Sequence, residues 1–198
     1  MKDYFAPKAK DYDKEKRRVD NVANIANAIL NKFNLSCDMT LLDFGSGTGL
    51  LLERIAPYVG KIIAIDRSSS MNSMLKQKEL PCEVEIIEKD LAKEQVDILV
   101  DGIISSMTLH HIRDIDDIFK KFYNLLKPGG FIALADLDKE DGSFHTIDTG
   151  VEHFGFDRDF IVAKAKKAGF VDINIEDASI VKKLYGKYLV FLLSAKRA

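Results

Sequence analysis

Three glycines, Gly45, Gly47 and Gly49, alternate in the run LLDFGSGTG, directly behind a short apolar stretch. Glycine accepts positive φ and lets a ligand come close to the backbone, and the amides of a helix starting behind such a turn face that ligand. Asp43 stands two residues before the first glycine, and a second acid, Asp66, closes the next apolar stretch, KIIAID. An acid there is placed to accept hydrogen bonds from both hydroxyls of an adenosine ribose. Asp90 and Ser105 fall at or near the ends of the third and fourth apolar stretches, so four polar groups converge on one rim. The chemistry this arrangement suits is the binding of a nucleoside-containing cofactor.

The spacing argues against a dinucleotide. The dinucleotide fingerprint asks for glycine or alanine three positions after its second glycine, where this chain has Leu50. The turn also has no basic group for a pyrophosphate, so an NAD-linked oxidoreductase is the minor reading. Histidine is the side chain suited to proton transfer near neutral pH. His110 and His111 follow the fourth apolar stretch, while His145 and His153 lie among Phe144, Phe154 and Phe156 in a segment without periodicity. That second group suggests an apolar pocket with polar anchors. Asp136 and Asp138 could belong to a metal-assisted site, but no third ligand accompanies them, and no metal is expected.

Such residues need elements to hold them. Val19, Val22, Ala26, Ile29 and Phe33 recur at helical spacing opposite Asp20, Asn24, Asn27 and Asn31. Short apolar runs predict strands over 39–44, 61–66, 83–87, 101–106 and 131–137, with helices over 50–58, 68–75 and 115–126 between them. Residues 127–130 (KPGG) terminate the last of these helices. Residues 138–156 read as irregular, 157–168 as a helix, and 171–176 and 189–195 as a strand pair with no crossover helix. Alternating strands and helices predict an α/β doubly wound, mostly parallel sheet in an α/β/α sandwich, with the final pair an antiparallel hairpin at one edge.

The 198 residues carry 46% hydrophobic and 30% charged side chains at a formal net charge of −2. This fits one globular domain and lacks the positive field a nucleic-acid binder relies on. No signal-like or membrane-length apolar run appears, so the expected location is cytoplasmic, with no membrane or nucleic-acid partner. Cys37 and Cys82 form no metal or disulfide pattern and are expected to be buried small apolar residues.

Six segments in order, LLDFGSGTG, IDRSSSM, EKDL, DGIISSMTLHHI, LLKPGGFIALAD and AKKAGF, resemble the class I S-adenosylmethionine-dependent methyltransferases. The resemblance runs from about Phe5 to Lys196. It implies a seven-stranded sheet with the last strand inserted antiparallel beside the fifth, and S-adenosyl-L-methionine as cofactor. It also implies roles. The Gly45 and Gly47 backbone cradles the methionine part, Asp43 supports its ammonium, and Asp66 holds the ribose hydroxyls. Arg67 and Met71 flank the adenine, Asp90 accepts from its amino group with Leu91 packed nearby, and Ser105 or its neighbouring backbone reaches the cofactor's amino group. Tyr4-Phe5 and Asp11-Tyr12 resemble an element that folds over the cofactor ahead of the first helix, which gives Tyr12 and Phe5 a covering role.

Methyl transfer needs an acceptor lone pair aligned with the S–CH₃ bond in a site closed to water, with a base only where the acceptor must lose a proton. His110 and His145 are the candidate catalytic residues, with residues 138–156 as a lid and 1–35 as an N-terminal cap. Residues 136–159 hold more acids than their two bases, Lys139 and Arg158, which tilts the expected acceptor toward neutral or cationic. The fourth strand has no Asn/Asp-Pro-Pro-aromatic run, the Pro81-Cys82 pair sits ahead of the third strand where it is expected to be structural and not a cytosine nucleophile, and no target-recognition domain is present. The expected activity is therefore methyl transfer to a small-molecule acceptor. A protein or peptide acceptor and a catalytically inactive cofactor-binding protein are the alternatives. The residues do not specify the acceptor atom or an oligomeric state.

Overall fold

A computed structural model describes residues 3–4, 6–145, 147, 149–184 and 186–198; Phe5, named above, lies outside them, as does one of the acids counted in 136–159, Asp148. Among the described residues the strands β1 (Thr40–Phe44), β2 (Lys61–Ile65), β3 (Glu83–Ile87), β4 (Val100–Ser106), β5 (Leu126–Leu137), β6 (Phe170–Lys183) and β7 (Gly186–Arg197) form one sheet in the order β3-β2-β1-β4-β5-β7-β6. The first five pair in parallel, while β7 runs antiparallel between β5 and β6. Strand order reverses between β1 and β4, which opens a crevice at their carboxyl ends, the ordinary ligand position in such sheets.

Helices α1 (Lys16–Lys32), α2 (Leu50–Ile55), α3 (Ser69–Leu75), α4 (Ile115–Leu125) and α5 (Arg158–Lys167) cover the sheet. The apolar stripe of α1 buries Val22, Ala26 and Ile29, together with Ile25, in the core on one face of the sheet. On the other face α4 drives Ile118, Phe119 and Phe122 into a second core that includes Phe170 and Phe191. Burying one such side chain contributes about 1.5–3 kcal/mol. The starts of α3, α4 and α5 carry oxygen caps. Ser68 accepts from the Met71 amide, Asp114 from Asp117, and Asp157 from Asp159 and Phe160. Each such cap is worth about 1 kcal/mol.

Several boundaries differ from the sequence reading. β5 begins at Leu126 rather than 131, because Leu126 pairs with Val100 before an irregularity at 100–102. The terminal strands extend to Lys183 and from Gly186, well past 176 and before 189. Their outer residues are half polar, and pairing across the hairpin holds them in place of an apolar pattern. Ahead of α1, Ala9–Lys14 forms a 3-10 turn in a stretch with no visible period. Cys37 is exposed and Cys82 half-buried, so neither is a core residue. Among the described residues no helix is long and apolar enough to cross a membrane.

Candidate active site

The turn after β1 is built from backbone that other residues resist. Gly45, Gly47 and Gly49 have φ of +70°, +56° and +84°. A Cβ on Gly45 would collide with the Thr108 side chain, whereas around Gly47 a Cβ would meet nothing within 4 Å. The Gly45 and Ser46 amides donate to the Ile65 carbonyl at 2.8 and 3.3 Å, which locks the turn to the end of β2. Asp66, half-buried just past that end, accepts from the Gly47 amide (2.8 Å, Oδ2) and the Ser68 amide (2.8 Å, Oδ1). A carboxylate offers about four lone-pair sites, so both oxygens keep capacity for further donors. Burial raises the Asp66 carboxyl above its ordinary value, against the opposing pull of those two amides and of Arg67.

A cavity of about 830 Å³ extends from this turn along the carboxyl ends of β1, β2 and β4. Asp43, Gly45, Gly47, Asp66, Arg67, Met71, Asp90, Leu91 and Tyr12 all line it. Asp43 is almost wholly buried, its Oδ2 has no hydrogen-bond partner among the described residues, and burial followed by the nearby Asp66 pushes its pKa up to about 8. Arg67 reaches Asp90 at 3.8 Å, and Met71 and Leu91 present apolar surface beside them. Tyr12 sits in the 3-10 turn with the Arg18 guanidinium 3.7 Å over its ring and its carbonyl accepting from Arg18 at 2.5 Å. The N-terminal segment is tied across the rim by Thr48 donating to Asp13 (2.5 Å) and by Ser68 and Ser70 donating to Asp3 (2.9 and 2.8 Å).

Two expected contacts are not made. Ser105 points away from the cavity and donates to the Phe44 carbonyl at 2.7 Å, stitching β4 to β1, because alternation along the strand gives the cavity face to its neighbour. That neighbour, Ser106, lines the cavity with a buried Oγ that has no partner among the described residues. Gly49 caps α2 outside the cavity wall, and a Cβ there would strike Leu75, so its role is helix packing.

At the end of β4 the chain bends through Met107, a non-glycine residue at φ +59°, into a short turn over Leu109–His111. Strain of this kind is kept where a side chain must be aimed. His110 is wholly buried against the cavity; its Nδ1 lies 2.7 Å from Asp136 Oδ1, its amide donates to Oδ2 at 3.2 Å, and Nε2 has no partner among the described residues. Burial alone would raise the Asp136 carboxyl. Pairing with His110 and amide bonds from Leu137 (2.7 Å) and His110 outweigh it and hold the group below the ordinary carboxylate range. A carboxylate on Nδ1 fixes the neutral tautomer with its lone pair on Nε2.

His145 lies 5.1 Å from His110 between ring centroids and also lines the cavity, with Phe144 buried beside it at 4.9 Å. Burial, then the other two histidines and Lys183, push its pKa down to about 3; His111 falls to about 4 by burial and the adjacent His110. Both are therefore neutral at pH 7. His153 does not join them. Its Nε2 meets the Ile112 carbonyl at 2.9 Å and its amide donates to the His110 carbonyl at 3.0 Å, so it clamps the corner from outside. Phe156 belongs to the core and Phe154 is exposed, so of the three phenylalanines only Phe144 walls the cavity. Asp138 pairs with Arg158, and among the described residues no three His, Cys, Asp or Glu side chains cluster to hold a metal.

Asp136, in the sequence a possible metal ligand and one of the acids of 136–159, here holds His110. Its position at the end of β5, level with the acids ending β1 and β2, was the available signal. The arrangement fits S-adenosylmethionine on its own chemistry. An unpartnered buried carboxyl oxygen suits an ammonium, a second carboxyl with free lone pairs suits a ribose, and the space over Gly47 admits a ligand against the backbone.

A profile of the family described as "Methyltransferase domain" matches residues 42–134. An uncharacterized methyltransferase of Schizosaccharomyces pombe is 31% identical over 145 residues, 68% of this chain and 50% of that one. A Haloferax volcanii protein solved in complex with the Trm112 methyltransferase activator superposes with a TM-score of 0.79 at 16% identity, covering 100% of this chain and 99% of that one. Phosphoethanolamine N-methyltransferase 2 of Haemonchus contortus, solved with phosphomonomethylethanolamine and S-adenosylhomocysteine, gives a TM-score of 0.71 at 20% identity over 88% of this chain and 52% of that one. The chain spans 26% to 56% of the length of the first four curated relatives it matches. With the seven-stranded order, the glycine turn and the acid-lined rim, these matches show that the chain belongs to the class I S-adenosylmethionine-dependent methyltransferases.

Proposed function

We propose that this chain transfers the methyl group of S-adenosylmethionine to a small-molecule acceptor, and that His110, oriented by Asp136, takes the proton the acceptor releases. The observation that carries this reading is one continuous cavity. It runs from the glycine turn to His110 and has a size typical of sites for small ligands, about 300–1,000 Å³. When bound, S-adenosylmethionine supplies a methyl group on a positively charged sulfur, which the acceptor displaces in line. Asp43 takes the ammonium, Asp66 the ribose, Asp90 and Arg67 the base, and Met71 and Leu91 its faces. Ser106 replaces Ser105 in the proposal as the strand-end hydroxyl facing the ligand. The segment 138–156 acts as the lid, bound to the histidine corner through the Glu152 and His153 amides and through His111 on the Gly150 carbonyl.

The roles of His110 and Asp136 separate binding from turnover. His110→Ala should lower kcat by about 10²–10⁴, the usual worth of a positioned base, with cofactor Kd unchanged by equilibrium titration. Asp136→Asn should give a smaller loss with a shifted pH profile, since the amide no longer fixes the tautomer. Undiminished turnover in a folded His110→Ala protein would remove the histidine from the mechanism.

A further inference from the structure

The lid end of the cavity holds a cation where a strand should place an apolar residue. Along β6 the inward face carries Ser179, Val181 and Lys183, the first two buried and the third half-buried. Lysine is seldom buried without a carboxylate partner, because desolvating an ammonium costs more than packing its stem returns. Lys183 donates to the Phe144 carbonyl and lies 3.6 Å over the Phe144 ring centroid, yet among the described residues no carboxylate stands within ion-pair distance of it. An ammonium has three donors, and one carbonyl occupies only one of them.

The surroundings add positive charge. Arg17 and Arg18 line the same cavity, and both are bound to Glu15 at 2.9 and 2.8 Å, so one carboxylate answers two guanidinium groups. Burial depresses the Lys183 pKa; Glu15 and Glu140 pull it up, while Arg17 and Arg18 push it down, and the net direction is down. Among the described acids of the 138–156 segment none pairs with the Lys183 ammonium, although Glu140 pulls on it from a distance. Asp138 is held by Arg158, Glu152 by Arg113, and Glu140 accepts from the Gly142 and Phe144 amides. Apolar Val181 and Phe144 complete the wall beside His145.

We infer that Lys183 is a specificity-determining residue, and that the acceptor carries an anionic group, carboxylate or phosphate, which docks on its ammonium beyond His145. This runs against the tilt toward a neutral or cationic acceptor drawn from the lid's composition, since Asp138 and Glu152 of that segment are paired with Arg158 and Arg113. The inference rests on the methyl-transfer reading of the same cavity.

Titrations of S-adenosylhomocysteine-saturated protein test it, using benzoate, phenyl phosphate and neutral benzamide as probes, read by chemical shifts of the histidine rings. Wild-type protein should bind at least one anionic probe ten or more times more tightly than benzamide. The better anion identifies the docking group as carboxylate or phosphate. Lys183→Met should lose that preference while keeping benzamide affinity, and Lys183→Arg should retain it. Equal binding of benzamide, unchanged anion binding by Lys183→Met, or binding of no probe at all would each overturn the inference. S-adenosylhomocysteine affinity, measured first, separates the two readings. Absent cofactor binding defeats the methyl-transfer proposal, and the probe titrations on the free protein then still decide the role of Lys183.

Discussion

Asp43 shows how one buried carboxyl couples the site to pH. With a pKa raised to about 8, it holds a proton at neutral pH in the free protein. A bound ammonium favours the charged form and draws the pKa back down. Ligand binding therefore expels a proton, and affinity should rise as pH increases from about 6 toward 7.5. Calorimetry at pH 6.5 in buffers of different ionisation enthalpy should find close to one proton released per S-adenosylmethionine, and none for Asp43→Asn. The same proton strains the fold, since the unfolded state loses it near the ordinary value of 3.8; stability falls as pH rises from there through 8. Most of this rim was legible in the sequence because strand ends and glycine turns fix where a carboxyl can stand. Ser105 was misplaced by one residue, which in a strand means the opposite face. Lys183 could not be found at all, because its strand continues through residues with no apolar alternation.

The elements divide into those set by pattern and those set by contact. β1 and β2 are short, mainly apolar runs buried on both faces, and their sequences alone predict them. The 138–156 segment has no period, so its path depends on particular ties. The Lys139 and Glu140 amides reach the Phe156 and Phe154 carbonyls at 2.9 Å, and Phe156 reaches Leu137 at 2.9 Å. Arg158 anchors this base with paired bonds to Asp138 at 2.7 and 2.8 Å and a third to Asp177 at 2.6 Å. These groups are partly exposed, so the cluster is worth only about 1 kcal/mol. Its loss should act locally. Arg158→Ala should speed amide exchange at Lys139, Glu140 and Phe156 several-fold and leave the amides of β1 and β4 unchanged. Uniform acceleration across the sheet would show that the ties support the whole fold and do not merely hold the lid base.

At the scale of the molecule, two cores on opposite faces hold a rigid sheet, and the ligand-facing parts are the polar rim and the two segments tied across it. Binding to the folded state alone stabilises it by mass action. At a hundredfold excess over Kd the gain is about 2.7 kcal/mol, and for a chain of this length that is a melting shift of about 5–10 °C. NAD at the same concentration should produce none, because the turn lacks the spacing and the charge for a pyrophosphate. The most direct test of the account is the fate of a labelled methyl group. Protein incubated with methyl-labelled S-adenosylmethionine and a cell extract should move label into the low-molecular-mass fraction. His110→Ala should retain cofactor binding and lose that transfer. Label appearing only in the protein fraction, or equal transfer by the variant, would contradict it.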